Sequence, residues 1–448
     1  MVDKDGRDFA ERNLLIPLCA LADSGAQPAG LDIASLCKQI EAAGMRSEYF
    51  FYNPANRQAP YSYWRGPVLL EFPNLEGRII SIKAIANRLE GEINASVACR
   101  DFDRFLDLVD ARLAPELFME VFGTVPDRDK FRLFERLWRF NPYATDVFPD
   151  DFARRAYRYR GVTDQLPPAA ADGRVRVYLG ADAGAGPQET QVWTTDINRA
   201  LMAAGTIPAA PVFQGRVRRD HLIPGDGGRS DREVLVKPSL LEEIRRMNLI
   251  DLADFEGEME AAGIMAQYRR RAGQIKPGWF HKPAGIHGAG HTRRVLMLSL
   301  LLAHLEKLNR ADRDLLAGVA VYHDIGRDND GYDPGHGQAS YARTRKERLV
   351  PWSDKGEEEV FRFVVENHDL PDSKAYQRVQ GYEARDVDRT LRLYATFKDA
   401  DGLDRVRLGD LNPDYLRTAS APRLLLVAYQ LYCQPDWLEQ RTRAPADD

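Results

Sequence analysis

The sequence feature that most constrains this chain is an imidazole and a carboxylate standing together at the end of an apolar helix. The stretch "GVAVYHDIGRDNDGYDPGHGQAS", residues 318–340, runs from small and apolar residues into His323-Asp324, then through a polar loop to His336. With only 8 histidines in 448 residues, their placement carries weight. Burying an imidazole beside a carboxylate is costly unless a partner compensates, and a metal ion suits both. A fold for this chain has to close other helices around that corner.

Three further segments supply them. "GHTRRVLMLSLLLAHL" reads as a buried helix with His291 near its start. "NRADRDLLAGVAVYHD" opens with Asn309 three residues before Asp312, a helix-start pattern, and ends on His323-Asp324. In "DKGEEEVFRFVVENHD" the apolar face is Val360, Phe361, Val364 and Val365, and His368 follows Val364 by four, which points it inward. In "DVDRTLRLYATFKDADGLDRVR", Asp401 follows Phe397 by the same spacing. Helical bundles build metal sites in this way, from ligands on facing helices. Imidazole suits first-row transition metals, and a carboxylate can bridge two ions. Such ions acidify a water and clamp the attacking and leaving oxygens of an in-line attack on phosphorus.

The order His291 in "HTRRV", His323-Asp324 in "HDIGR" and Asp401 in "DADGLD" resembles the HD superfamily of metal-dependent phosphohydrolases, over roughly residues 280–410. The resemblance implies an all-α domain in which His291, His323, Asp324 and Asp401 hold a divalent metal. His336 and His368 fall where the two-metal phosphodiesterase branch places extra histidines, although that branch's GYP motif is missing. One or two ions (Mn, Fe, Zn, Co or Mg) and a metal-bound hydroxide as nucleophile are therefore expected. Arg294 and Arg327 are candidates for neutralising phosphate, Lys398 for orienting the water, and His287 for protonating the leaving group. Asp324 would serve both as ligand and in catalysis. "IHGAGHTRRV" also places His287 four residues before His291, on a shared face if the helix starts that early. Together with the following "GYDPGHGQAS" it is similar to a subset of HD-like phosphodiesterases related to the SidE-type phosphoribosyl-ubiquitin enzymes, in which a histidine attacks phosphorus without metal. His304, His221 and His281 are read as structural. Asp399 and Asp404 are expected either behind the ligands or facing solvent.

The rest of the chain divides by texture. Residues 1–150 read as a helical region with aromatic-rich loops and no catalytic pattern; "DIASLCKQIEAAG" ends in Gly44, a C-cap signal, and "RDFDRFLDLVDARLAPELFMEVFG" reads as one or two helices. "DQLPPAAADG" reads as a linker or exposed loop. Residues 151–238 carry the β-like runs "RVRVYLG", "PVFQGRV" and "REVLVKP" around a helical "DINRALMAAG", and from 239 to 448 the pattern is almost wholly helical. The middle span resembles the ADP-ribosyltransferase fold, an α+β domain. That resemblance implies NAD binding by Thr194, Thr195 and Glu233, with Arg160 supplied from "YRYRG", because Leu179 occupies the usual arginine position. These departures favour a degenerate, binding-only module.

Bulk composition narrows the setting. A formal charge of -5 argues against a general nucleic-acid or membrane-surface binder, and 44% hydrophobic with 29% charged residues fits a globular chain. The run "VLMLSLLLAHL" is shorter than the roughly 18 residues a membrane span needs. The four cysteines form no CxxC pair, and "MVDKDGRDFAERNLL" lacks the basic and apolar parts of a secretory signal. A cytoplasmic location is expected, with signal-independent export also open. The expected whole is a multidomain, mainly α protein whose C-terminal HD-type domain hydrolyses a nucleotide or ADP-ribose-type phosphoester, either free or on a modified protein. Two rivals stand beside it: a bifunctional transferase and phosphodiesterase, and a non-catalytic nucleotide sensor.

Overall fold

Apolar residues spaced by three and four in the second half of the chain form helices that bury them completely. The computed structural model describes residues 5–21, 32–161, 167–180, 186–205, 210–224 and 232–442, and divides into two compact units, 1–164 and 165–448. Each unit is mainly helical with one antiparallel sheet. The first residues of the expected linker, 164–166, lie outside the described residues. No helix among the described residues is long and apolar enough to cross a membrane.

The first unit corrects the helical reading of residues 1–150. The aromatic-rich stretches taken as loops form a four-stranded meander of β1 (Ile16–Pro17), β2 (Phe50–Tyr52), β3 (Tyr61–Arg65) and β4 (Val68–Phe72), each paired with the next. Register sets Tyr63 against Phe50 on one side and Leu70 on the other, so the aromatic rings form cross-strand pairs. Aromatic side chains fit such a pleated, half-buried surface better than a helix. The flanking helices follow the sequence signals. Asp32 caps Ile33–Ala42 by accepting from the Ser35 N–H at 2.9 Å, and Gly44 follows in the left-handed region. The 100–123 stretch gives two helices, Phe102–Leu108 and Ala114–Val121.

In the second unit a six-stranded sheet is ordered β10-β7-β5-β6-β9-β8. Its strands are β5 (Arg174–Gly180), β6 (Val192–Thr194), β7 (Val212–Arg218), β8 (Ile223–Pro224), β9 (Glu233–Leu235) and β10 (Glu242–Arg246). β10 corrects the helical reading of the first residues after 239, in a span expected to be almost wholly helical. It pairs with β7 at the sheet edge, where Glu242 faces Arg216 and polar residues are tolerated on an exposed strand. A single helix, α1 (Ile197–Gly205), packs on β5 and against the C-terminal helices. Tyr178, Ile197 and Leu201 therefore share one apolar core with the helical part.

That helical part is built on α2 (Ala289–Leu305), α3 (Arg310–Tyr322), α4 (His336–Lys346), α5 (Lys355–Asn367), α6 (Val387–Leu403) and α7 (Leu425–Cys433). α2 is central, with Leu296, Leu298, Leu301 and Leu302 at 0% exposure. Each such leucine contributes about 1.5–3 kcal/mol. α3 and α6 pack on α2, and α5 lies against α3, α4 and α6. Two glycines let α4 seat deeply. A Cβ on Gly326 would lie 2.2 Å from the Ser340 N, and one on Gly337 would lie 2.4 Å from the Val365 O. Gly337→Ala is accordingly expected to lower stability by about 1–3 kcal/mol, because backbone has to yield. The thermal unfolding midpoint measures this, and an unchanged midpoint would show that the α4–α5 approach is not tight.

Candidate metal centre

Each ligand-type side chain reaches the interior from a helix end. His323 is the C-terminal cap of α3, with Asp324 next; His336 begins α4; His368 caps α5; Asp401 lies in the last turn of α6; and His291 is in the first turn of α2. His291, His323, Asp324, His336 and His368 are all at least 95% buried, while Asp401 is half-buried at the mouth. His287 does not share the α2 face. Gly288 caps the helix and Ala289 is its first residue, so His287 sits in the preceding turn. It still reaches the cluster, with Nδ1 3.1 Å from Asp324 Oδ2.

Asp324 divides the histidines into two sets. Its Oδ2 lies 3.5 Å from His291 Nε2 and 3.6 Å from His323 Nε2, and Asp401 Oδ1 is 3.5 Å from His291 Nε2. Its Oδ1 lies 3.1 Å from His336 Nε2 and 3.6 Å from His368 Nε2. Within each set the Nε2 atoms almost touch, at 3.2 Å for His291 and His323 and 2.9 Å for His336 and His368.

The far sides of the rings fix the tautomers. Nδ1 of His323, His336 and His368 faces the carbonyl oxygens of Ala320, Asp333 and Val365 at 2.9, 2.7 and 2.8 Å. A carbonyl accepts only, so each Nδ1 carries a hydrogen and Nε2 is the atom that each ring turns inward. His291 does the same through Asp404, whose Oδ2 lies 2.7 Å from its Nδ1. Inward-facing ring nitrogens and carboxylate oxygens thus converge, an arrangement that a cation completes. Asp369 adds to it: its Oδ1 is buried on the cavity wall without a hydrogen-bond partner. Three overlapping groups, His287/His291/Asp324, His291/His323/Asp401 and His323/Asp324/His368, have ligand atoms close enough for one ion each. The residues fit one or two divalent metals.

Electrostatics follow from this crowding. Burial pushes His323 down to about 3, so it is neutral and ready to ligate. Burial acts the same way on His291 and His368, but Asp324 outweighs it for both, aided by Asp404 at His291, and both end above the usual imidazole range. Burial would raise Asp324 and Asp401, yet the surrounding imidazoles hold both carboxylates low. His287 is lowered, mainly by burial.

The remaining candidates are placed as follows. Arg327 Nε donates to Asp324 Oδ1 at 3.0 Å and lines the cavity over the site. Lys398 also lines it; burial lowers its pKa, and its Nζ donates to the Leu370 O at 2.5 Å. Arg294, expected on phosphate, donates instead from Nε and Nη2 to Asp404 at 2.5 and 3.1 Å, away from the cavity lining. Asp404 is fully buried, with Arg407 as a further donor, and so stands behind His291. Asp399 is buried too and accepts the backbone N–H groups of Arg417 and Thr418. Of the three histidines read as structural, His304 pairs with Glu258, His221 is buried and His281 is exposed.

Of the middle-domain candidates, Thr194, Thr195 and Glu233 belong to the second unit. Arg160 belongs to the first unit. Thr194 faces Glu233 across the β6–β9 pair, and the hydroxyls of Thr194 and Thr195 both donate to the Arg232 O.

The site opens into a cavity of about 880 Å³ whose walls add Lys374, Arg405, Arg407 and Arg417 to the residues above. Sequence reasoning missed these cations because they come from a short helix, a 3-10 helix and a loop that only the fold brings together. Asp404 carried a signal, lying three residues after Asp401 on the same helix face. If Asp404 orients His291, Asp404→Asn lowers metal affinity about 10- to 100-fold without unfolding the protein. Competition with a chelator measures that shift, and unchanged affinity would remove Asp404 from the site.

Comparison with protein families matches residues 288–406 to the HD domain. No curated protein and no solved structure matches the chain. The matched span runs from the cap of α2 past Asp401 and Asp404, and so encloses His291, His323, His336 and His368, with His287 one residue before it. HD domains in general bind divalent metals and are hydrolases.

Proposed function

We propose that the second unit hydrolyses a phosphodiester or phosphomonoester of a nucleotide or ADP-ribose-type molecule at a two-metal centre. The observation that carries this reading is Asp324, whose two oxygens face separate histidine pairs as a bridging carboxylate would. His291, His323 and Asp401 would hold one ion and His336 and His368 the other, with Asp324 shared. Bound ions would supply Lewis acidity and an acidified water for attack on phosphorus.

The chain's own residues do the rest. Arg327 and Lys398, with Lys374 further out, give the cavity cationic groups for phosphate oxygens. His287 turns Nδ1 to Asp324, so Nε2 is its atom for proton transfer: neutral, it would take a proton from the attacking water, and then pass that proton to the leaving oxygen. The exposed rings of Tyr332 and Tyr415 at the rim, 92% and 73% accessible, offer flat surfaces to a planar group such as a base.

Elemental analysis of the purified protein, with hydrolysis of bis(p-nitrophenyl) phosphate before and after chelation, tests this reading. One or two transition-metal ions per chain with chelator-sensitive turnover support it. Metal without turnover on any phosphoester tried would favour the sensor. Turnover that persists without metal and depends on His287 or His291 would favour a histidine nucleophile.

A further inference from the structure

Arg407 lies in the wall of the metal cavity with its side chain only 5% exposed. It stands in the 3-10 helix Asp404–Leu408 that continues α6, about one turn after Asp404. Its Nη1 donates to the Asp404 O at 3.0 Å and to Asp404 Oδ2 at 3.2 Å. Neutralising that carboxylate does not require it, because Arg294 already meets Asp404 with two donors. A second guanidinium buried against one carboxylate is costly unless its other donors are used. They are used on a segment 121 residues back in the chain. Nε donates to the Ile286 O at 2.9 Å, and Nη2 lies 3.5 Å from His287 Nδ1.

His287 needs such a hold. It precedes the Gly288 cap of α2, so no helix fixes its backbone. The turn around it closes on itself, with the Gly288 N–H donating to the Gly285 O and the Ala289 N–H to the Pro283 O, both at 3.0 Å. The ring meets Asp324 Oδ2 at 3.1 Å and stands edge-on to His291, with 5.6 Å between ring centroids. Both of those partners belong to the ligand set, whereas Arg407 stands outside it. Arg407 links the His287 turn to Asp404, the residue that orients His291. One planar guanidinium with five donors makes that span; a lysine, a single point of charge, does not. We propose that Arg407 is the positioning residue for His287, resting on the reading of that ring as the proton carrier, and holds it in register with the metal ligands. Proton transfer needs the ring within hydrogen-bond reach of the oxygen, and a displacement of about 1 Å costs on the order of 100-fold.

Two measurements on full-length protein test this. In metal-free protein carrying isotope-labelled histidine, Arg407→Gln should shift the ring nitrogen signals of His287, identified by their loss in His287→Ala. Those of His323 and His368 should hold their places. With manganese in excess, methyl p-nitrophenyl phosphate and methyl phenyl phosphate differ only in the leaving group, and phenolate needs the proton more. Arg407→Gln should slow the phenyl ester roughly 10- to 100-fold, a loss about tenfold greater than on the nitrophenyl ester. In the His287→Ala background the same substitution should add little, since a residue that acts through His287 has nothing left to position. If the glutamine variant fails to fold, Arg407→Lys takes its place, with the same pattern expected. Unmoved His287 signals, equal losses on the two esters, a loss additive with His287→Ala, or a loss that follows the metal content overturns the proposal. Shifted His287 signals in a protein that turns over neither ester uphold the hold of Arg407 on His287 and remove the hydrolytic reading instead.

Discussion

Asp324→Ala is expected to leave the protein folded, empty of metal and slower by roughly 10³-fold or more on any phosphoester it hydrolyses. The size follows from position. Asp324 lies within 3.6 Å of Nε2 atoms from both histidine pairs. Its loss removes the shared ligand and leaves four imidazoles facing each other without a carboxylate. Breaking a buried charged cluster usually costs stability as well, about 3–5 kcal/mol. Here the loss is smaller in the metal-free state, since burial already keeps His323 neutral. Metal content, circular dichroism and turnover measured on one preparation separate these effects. Retention of both ions by Asp324→Ala would mean that it does not bridge.

His336→Ala combined with His368→Ala is expected to remove one ion and keep the other. Both rings are held by backbone carbonyls of their own segments and face Asp324 Oδ1, whereas His291 and His323 face Asp324 Oδ2. The metal count should fall from two to one, with turnover reduced about 10²-fold, since the clamp on one of the two oxygens is lost. If the wild-type protein holds a single ion and the double variant keeps it with full activity, the second pair is structural. Burial lowers the His368 imidazole, but Asp324 more than offsets it and holds it above the usual range, so His368 is the ring that carries a proton before metal binds. Metal has to displace that proton, so affinity for the second ion should rise with pH through the imidazole range.

Much of the centre was legible before any coordinates. The spacing of His368 behind Phe361 and Val364, and of Asp401 behind Tyr394 and Phe397, is helix periodicity, and periodicity alone tells which face a side chain takes. His323-Asp324 announces itself by breaking an apolar run. The strands of the first unit were hidden for the opposite reason. Segments of three to five residues between turns leave too little pattern to separate strand from loop, and "FFY" and "YSYWR" show this. β10 was hidden as well, because "EEIRR" is charged on both sides and earns its place only by pairing with β7.

What the sequence by itself determined, then, is which side chains point inward and what chemistry they share. That is local information, set by 3.6 residues per turn and by the side-chain types. The tertiary structure decided how they are apportioned. It gave Asp324 an oxygen for each histidine pair and turned Arg294 from the cavity onto Asp404, behind His291. It also set Arg176 against Arg216 across two strands. Each of these depends on where two elements distant in the chain come to lie, which follows from packing of the whole core and from no short stretch of residues.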